Sequence, residues 1–157
     1  MSRNPLLERH TLPPFGEIRP EHVAPAVEAL LEELREGVEK LVAEAERDTP
    51  SWDSLAAPLE EMSDRLAQAW SPVSHLNSTM STPELREAHD GCLEKLSAYS
   101  TWIGQHEGLF RAWQALKDSP AFAELDEARQ RAVNNALRDF RLAGIDLPAD
   151  KKERMAE

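Results

Sequence analysis

The chain has 157 residues, the size of one ordinary domain, and its 41% apolar share is enough to build a core. Leu and Ala supply most of that share while Val, Ile, Thr and Tyr are scarce, which favours helix over strand. With 29 acidic against 18 basic residues the net charge is −11, so a nucleic-acid partner is not expected, and no apolar run approaches the length of a membrane span.

A single cysteine, Cys92, excludes an intrachain disulfide, and Met1 to His10 lacks the apolar stretch of a secretory signal. A cytoplasmic location is the expectation. Residues 1–19 hold Pro5, Pro13, Pro14 and Gly16, which predicts an extended N-terminal arm anchored by Leu12, Phe15 and Ile18. Residues 20–157 read as one helical domain, truncated at its C-terminal end.

The first helix is predicted to begin at Pro20, because proline fits a first turn whose N–H groups have no intrahelical partner. Val23, Val27, Leu30, Leu31, Leu34, Val38, Leu41, Val42 and Ala45 follow at three- and four-residue steps and define one buried stripe. Glu28, Glu32 and Glu36 form a mutually repelling row on the opposite face.

Ser51 reads as the cap of a second helix, with Leu55, Leu59, Met62, Leu66, Ala69 and Trp70 inward. Pro58 predicts a bend and Pro72 a kink or break. Thr82, Pro83 and Glu84 start a third helix. Leu85, Cys92, Tyr99, His106 and Trp113 step by seven, so one run to Lys117 is predicted, with Gly104 and Gly108 as the place for a kink or restart. A further helix spans Asp126 to Leu142, with Ala128, Val133, Ala136, Leu137 and Phe140 inward and Gly144 closing it. Leu147 to Asp150 opens a last helix that reaches Glu157 without a cap, as at a boundary set by a cut rather than by folding.

The chemistry these helices could carry is sparse. His106-Glu107 is the one His-Glu pair, and a zinc-binding helix of that type needs a second histidine at position 110, where Phe110 stands. His10, His22, His75 and His89 have no partner at ligand spacing and read as cap, surface or packing residues. The small-residue spacing of Gly104 and Gly108 reads as local helix geometry. Carboxylate pairs such as Glu32-Glu33 and Glu60-Glu61 are what solvated helix faces produce, and Arg129, Arg131, Arg138 and Arg141 alternate with Glu127 and Asp139 in the same way. No catalytic, cofactor-binding or metal residue is assigned.

Three stretches together resemble a known family: LPPFGEIRPEHVAPAV at 12–27, SPVSHLNSTMSTPELREAHDGCLEKLSAYSTWIGQHEGLFRAWQAL at 71–116, and NALRDFRLAGIDLPADKKERMAE at 135–157. They are similar to the N-terminal region of the bacterial oligopeptidase A group within the thimet oligopeptidase family of zinc metallopeptidases. The resemblance implies an all-α fold, an antiparallel bundle of long helices forming part of the N-terminal lobe of a two-lobed enzyme. It implies a cytosolic parent that cleaves short peptides by zinc-activated water in a deep channel, with its zinc-binding H-E-x-x-H helix downstream of residue 157. This part would wall the channel and be inactive alone. Its partners would be the remainder of the parent chain and short peptides, and self-association follows if the missing lobe normally covers part of its apolar surface. The alternative is a free-standing acidic helical module that binds a basic or amphipathic partner through the groove between long helices, an expectation motivated by the Glu28, Glu32, Glu36 row and the net charge.

Overall fold

The structure, a computed structural model, describes residues 3–148; the uncapped last helix expected at the C-terminus falls outside the described residues from position 149 onward. Among the described residues every regular element is helical: α1 Pro20–Ala45, α2 Ala57–Thr79, α3 Pro83–Gly104, α4 Glu107–Asp118, α5 Pro120–Glu124 and α6 Glu127–Leu142. A 3-10 turn at Pro5–Leu7 lies in the arm, and a π-helical turn at Trp52–Ala56 leads into α2.

The α1 stripe is realised residue by residue. Val23, Val27, Leu30, Leu31, Leu34, Val38, Leu41 and Val42 are all buried, joined by Ala26, while Ala45 at the frayed end is half-exposed. The entry to α1 is fixed by His22, whose Nδ1 accepts the Arg19 N–H at 3.1 Å and so satisfies a donor just outside the helix.

Ser51 starts the next helix through a reciprocal cap: its Oγ accepts the Ser54 N–H at 3.1 Å and its own N–H donates to the Ser54 Oγ at 2.9 Å. The irregularity expected near Pro58 is taken up in the π-helical turn immediately before it, where the Ala57 N–H reaches the Trp52 carbonyl. No break follows at Pro72. The helix runs through it to Thr79, because Ala69, Pro72 and Val73 are buried and hold the backbone across the one missing hydrogen bond.

The long third run is two helices. Leu85, Cys92 and Tyr99 keep the sevenfold face buried, but α3 stops at Gly104. His106, expected on that face, caps α4 instead: its Nδ1 accepts the Leu109 N–H at 3.1 Å and its Nε2 lies 3.1 Å from Glu39 Oε1. The ring therefore carries its hydrogen on Nε2 and donates it to the carboxylate.

Asp126 caps α6 through the Arg129 N–H at 2.8 Å. At its other end the Ile145 N–H reaches the Phe140 carbonyl, the Gly144 N–H reaches the Arg141 carbonyl, and Gly144 takes a φ of 86° that a side chain would strain. Ala128, expected inward, is exposed. The inward face begins at Gln130, whose Nε2 donates to the carbonyls of Phe122 and Leu125, the end of the unexpected short helix α5.

The chain divides into two compact units, Met1–Arg35 with Glu61–Ser97, and Glu36–Glu60 with Ala98–Glu157. In the first, the arm is tied down by polar contacts and, of the three residues expected to anchor it, by Ile18 alone. Leu12 is 78% exposed and Phe15 41%, whereas Leu6 and Ile18 are buried. In the second, α4 packs on α6 with Phe110 and Phe140 rings 5.6 Å apart, and on α5 and the π-helical turn. Gly104 and Gly108 are contact points rather than mere helix geometry: a Cβ on Gly108 would lie 2.7 Å from Val42 Cγ1, and one on Gly104 3.0 Å from Ala143 Cβ.

Two expectations follow for urea unfolding. Gly91 in α3 faces open space, so Gly91→Ala stabilises by about 0.5–1 kcal/mol through helix propensity, whereas Gly108→Ala destabilises by about 1–3 kcal/mol through overpacking against a stiff β-branched side chain. Equal and same-sign shifts would refute the close contact. His106→Ala loses about 1 kcal/mol with the cap, and His106→Asn, which keeps an acceptor, recovers most of it.

Candidate functional site

A concavity lies within the first unit, where the arm crosses α2. It has a volume of about 430 Å³ and is lined by Leu6, Pro13, Pro14 and Phe15 from the arm and by Ser71 and His75, among others, from α2. The arm follows this path because specific groups hold it. Asn4 Nδ2 donates to the His22 carbonyl at 2.9 Å, Arg9 pairs with Glu61, and Arg65 of α2 donates both to the Leu7 carbonyl at 3.4 Å and to Glu33 of α1 at 3.3 Å.

Beyond those straps, Pro13 and Pro14 fix the backbone of the tip. The Phe15 N–H reaches the Pro13 carbonyl at 2.9 Å and the Glu17 N–H the Pro14 carbonyl at 2.8 Å, so two tight turns close in succession. Phe15 then sits against His75 with ring centroids 5.4 Å apart. His10 Nε2 lies 2.9 Å from the Pro5 carbonyl, which can only accept, so this nitrogen carries a hydrogen. Glu8 is hydrogen-bonded and ion-paired to Arg3, which holds its carboxyl below the usual range. Asp64 accepts from Gln68. These groups can seat an apolar side chain beside a hydrogen-bonding edge, but they form no nucleophile–base pair and so offer no covalent chemistry.

None of the five histidines is arranged as a ligand. His22 and His106 serve helix ends, His10 ties the arm, His75 lies tilted against Phe15, and His89 stacks on Trp70. Among the described residues no three His, Cys, Asp or Glu side chains gather as metal ligands would, so this region does not fit a zinc ion. Cys92 is fully buried, and burial pushes its thiol up, away from the reactive thiolate.

The acidic row is partly engaged. Glu28 pairs with Lys95 of α3, a partner that the sequence of α1 could not show. The arginines of α6 pair locally, Arg129 with Asp126, Arg131 with Glu127, Arg138 with Asp139 and Arg141 with Asp146, all exposed pairs that stabilise little. No helix among the described residues is long and apolar enough to cross a membrane.

The groove was not legible as a site from the sequence, since its walls come from two well-separated segments, Pro5 to Phe15 and Asp64 to His75. Comparison with known proteins places the whole stretch more firmly. Residues 27–152 match the model of the neurolysin/thimet oligopeptidase N-terminal domain. Oligopeptidase A of Escherichia coli is 52% identical over 98% of the chain, that of Haemophilus influenzae 49% over 98%, and that of Salmonella typhimurium 51% over 98%. The chain spans 22% of the length of each of these relatives. An all-α chain with this end-to-end likeness belongs to the neurolysin/thimet oligopeptidase family and corresponds to the N-terminal region of oligopeptidase A.

Proposed function

We propose that the protein acts as the N-terminal helical part of a cytosolic zinc-dependent oligopeptidase, a metalloprotease that hydrolyses short peptides. In this reading the arm of residues 1–19 and the helical domain from residue 20 onward wall the substrate channel and exclude folded substrates by size. The zinc site and its catalytic residues belong to the remainder of the parent chain, which is the principal partner of this part. The chain taken alone is inactive.

The observation that carries the reading is the end-to-end match to relatives named oligopeptidase A, each of which is far longer than the stretch matched. The chemistry of the described residues is in keeping with it. Histidines are committed to caps, ties and ring stacking, and the candidate groove offers binding surface without a reacting group. A reducing compartment suits a chain whose single cysteine is buried and unpaired.

Metal analysis and a fluorogenic-peptide assay on the 157-residue chain test this directly. The expected result is no stoichiometric zinc and no chelator-sensitive cleavage, with both present in the full-length parent. Zinc at one equivalent together with chelator-sensitive cleavage by the short chain would overturn the assignment of the site to the remainder.

A further inference from the structure

The joint between α3 and α4 rests on one imidazole. His106 lies in the gap between the two helices and engages both ring nitrogens there: Nδ1 accepts the Leu109 N–H at 3.1 Å and Nε2 donates to Glu39 Oε1 at 3.1 Å. The ring is packed edge-on against Trp102, with centroids 5.0 Å apart, and its side chain is only 12% exposed. It lies so close over the first turn of α4 that a Cβ on Gly108 would come within 3.2 Å of its Cε1. Helix caps are commonly Ser, Thr, Asp or Asn, whose oxygen remains an acceptor at every pH near neutrality. An imidazole nitrogen does not.

A second proton on this ring must go to Nδ1, because Nε2 already carries one. The new N–H then faces the Leu109 N–H, two donors with no acceptor between them, and the cap is lost. The positive charge also stands at the N-terminal end of α4, where the helix dipole disfavours it. Glu39 acts the other way, since its hydrogen bond to Nε2 becomes an ion pair. The other elements at the joint bring little unpaired charge to the ring. α3 contributes Trp102 and Gln105, neither of them ionisable, and Glu107 beside the ring is exposed. On α1, Lys40 is turned to Glu44, and Arg35 is half-buried one turn before Glu39. α6 reaches the joint at Ala143, and its nearby charges are taken up in the pairs Arg138 with Asp139 and Arg141 with Asp146.

We propose that His106 makes the α3–α4 joint a pH-sensitive device: neutral, it caps α4, and protonated, it releases the Leu109 amide while keeping Glu39, so the first turn of α4 opens on acidification. The rest of the joint is held by groups that do not titrate, the contact of Gly104 with Ala143 and the bond from Gln105 Nε2 to the Ala143 carbonyl at 3.4 Å. Opening is therefore confined to the start of α4.

Amide hydrogen exchange of the unsubstituted full-length protein tests this, read by mass spectrometry with fragmentation fine enough to isolate Leu109. Exchange of the imidazole C2 hydrogen of His106 reports the protonation of the ring in the same samples. Relative to the intrinsic amide rate at each pH, the protection of Leu109 should fall about fivefold or more as pH falls through the titration of His106. The amides of Val133 and Leu137 within α6 should keep theirs. His106→Asn, which retains an acceptor and does not titrate, should hold the protection of Leu109 constant over the same range. Protection that stays within about twofold while the ring titrates overturns the proposal. So does an equal fall in His106→Asn, or a ring that stays neutral wherever the protein is folded.

Discussion

The unbroken apolar stripe of α1 is the constraint on which the rest depends. Its first half, Val23 to Leu34, supplies buried side chains to one unit, and its second half, Val38 to Val42, supplies them to the other. Three- and four-residue spacing keeps these side chains buried from Val23 to Val42 within a helix of 26 residues. Each buried leucine or valine there is worth roughly 1.5–3 kcal/mol relative to exposure, far more than any of the exposed ion pairs on the outer faces. The polar contacts act on position. Lys95 on Glu28 and Arg65 on Glu33 join neighbouring helices to α1 at chosen heights, where apolar packing alone would tolerate sliding.

The junction of α3 and α4 shows how a backbone requirement overrides a side-chain pattern. The sevenfold register from Leu85 to Trp113 favours one helix, and both ends of that register are in fact buried. A helix that stops in between must find partners for its last carbonyls and for the first N–H groups of the next helix. His106 provides an acceptor at that point, and the flanking glycines permit approach to Ala143 and Val42 that any side chain would prevent. The gain in packing on α6 outweighs the continuity of the helix. Phe110, which a straight run would aim elsewhere, meets Phe140 instead.

What was legible in the sequence was local. The start of α1 at Pro20, the caps Ser51 and Thr82, and the left-handed closure at Gly144 all depend on residues within a turn of one another. What was not legible depends on distant partners. Leu12 and Phe15 read as anchors because they are bulky and apolar, yet the path of the arm is set by Arg9 and Glu61, 52 positions apart, and by Arg65 and Leu7, 58 apart. Ala128 fits the apolar period of α6 but is exposed, because the end of α5 is held by Gln130. The groove was invisible for the same reason as the path of the arm, since one wall is the arm itself.

Function here is a matter of what the polar groups are left free to do. A catalytic histidine needs one nitrogen held by an orienting group and the other open to substrate. His106 has both nitrogens engaged, one on the Leu109 amide and one on Glu39, and the ring is packed edge-on against Trp102. His89 is stacked on Trp70 and bonded to Asp90, and His22 is turned to a backbone N–H. Such commitments hold helix ends and ring packing in place. Pro20, Thr82, Gly104, His106 and Gly144 likewise do structural work, since they start, stop or join helices. Where these helices begin and end is fixed by those few positions, and the Leu12–Phe15 tip stays exposed and held by its turns after those demands are met.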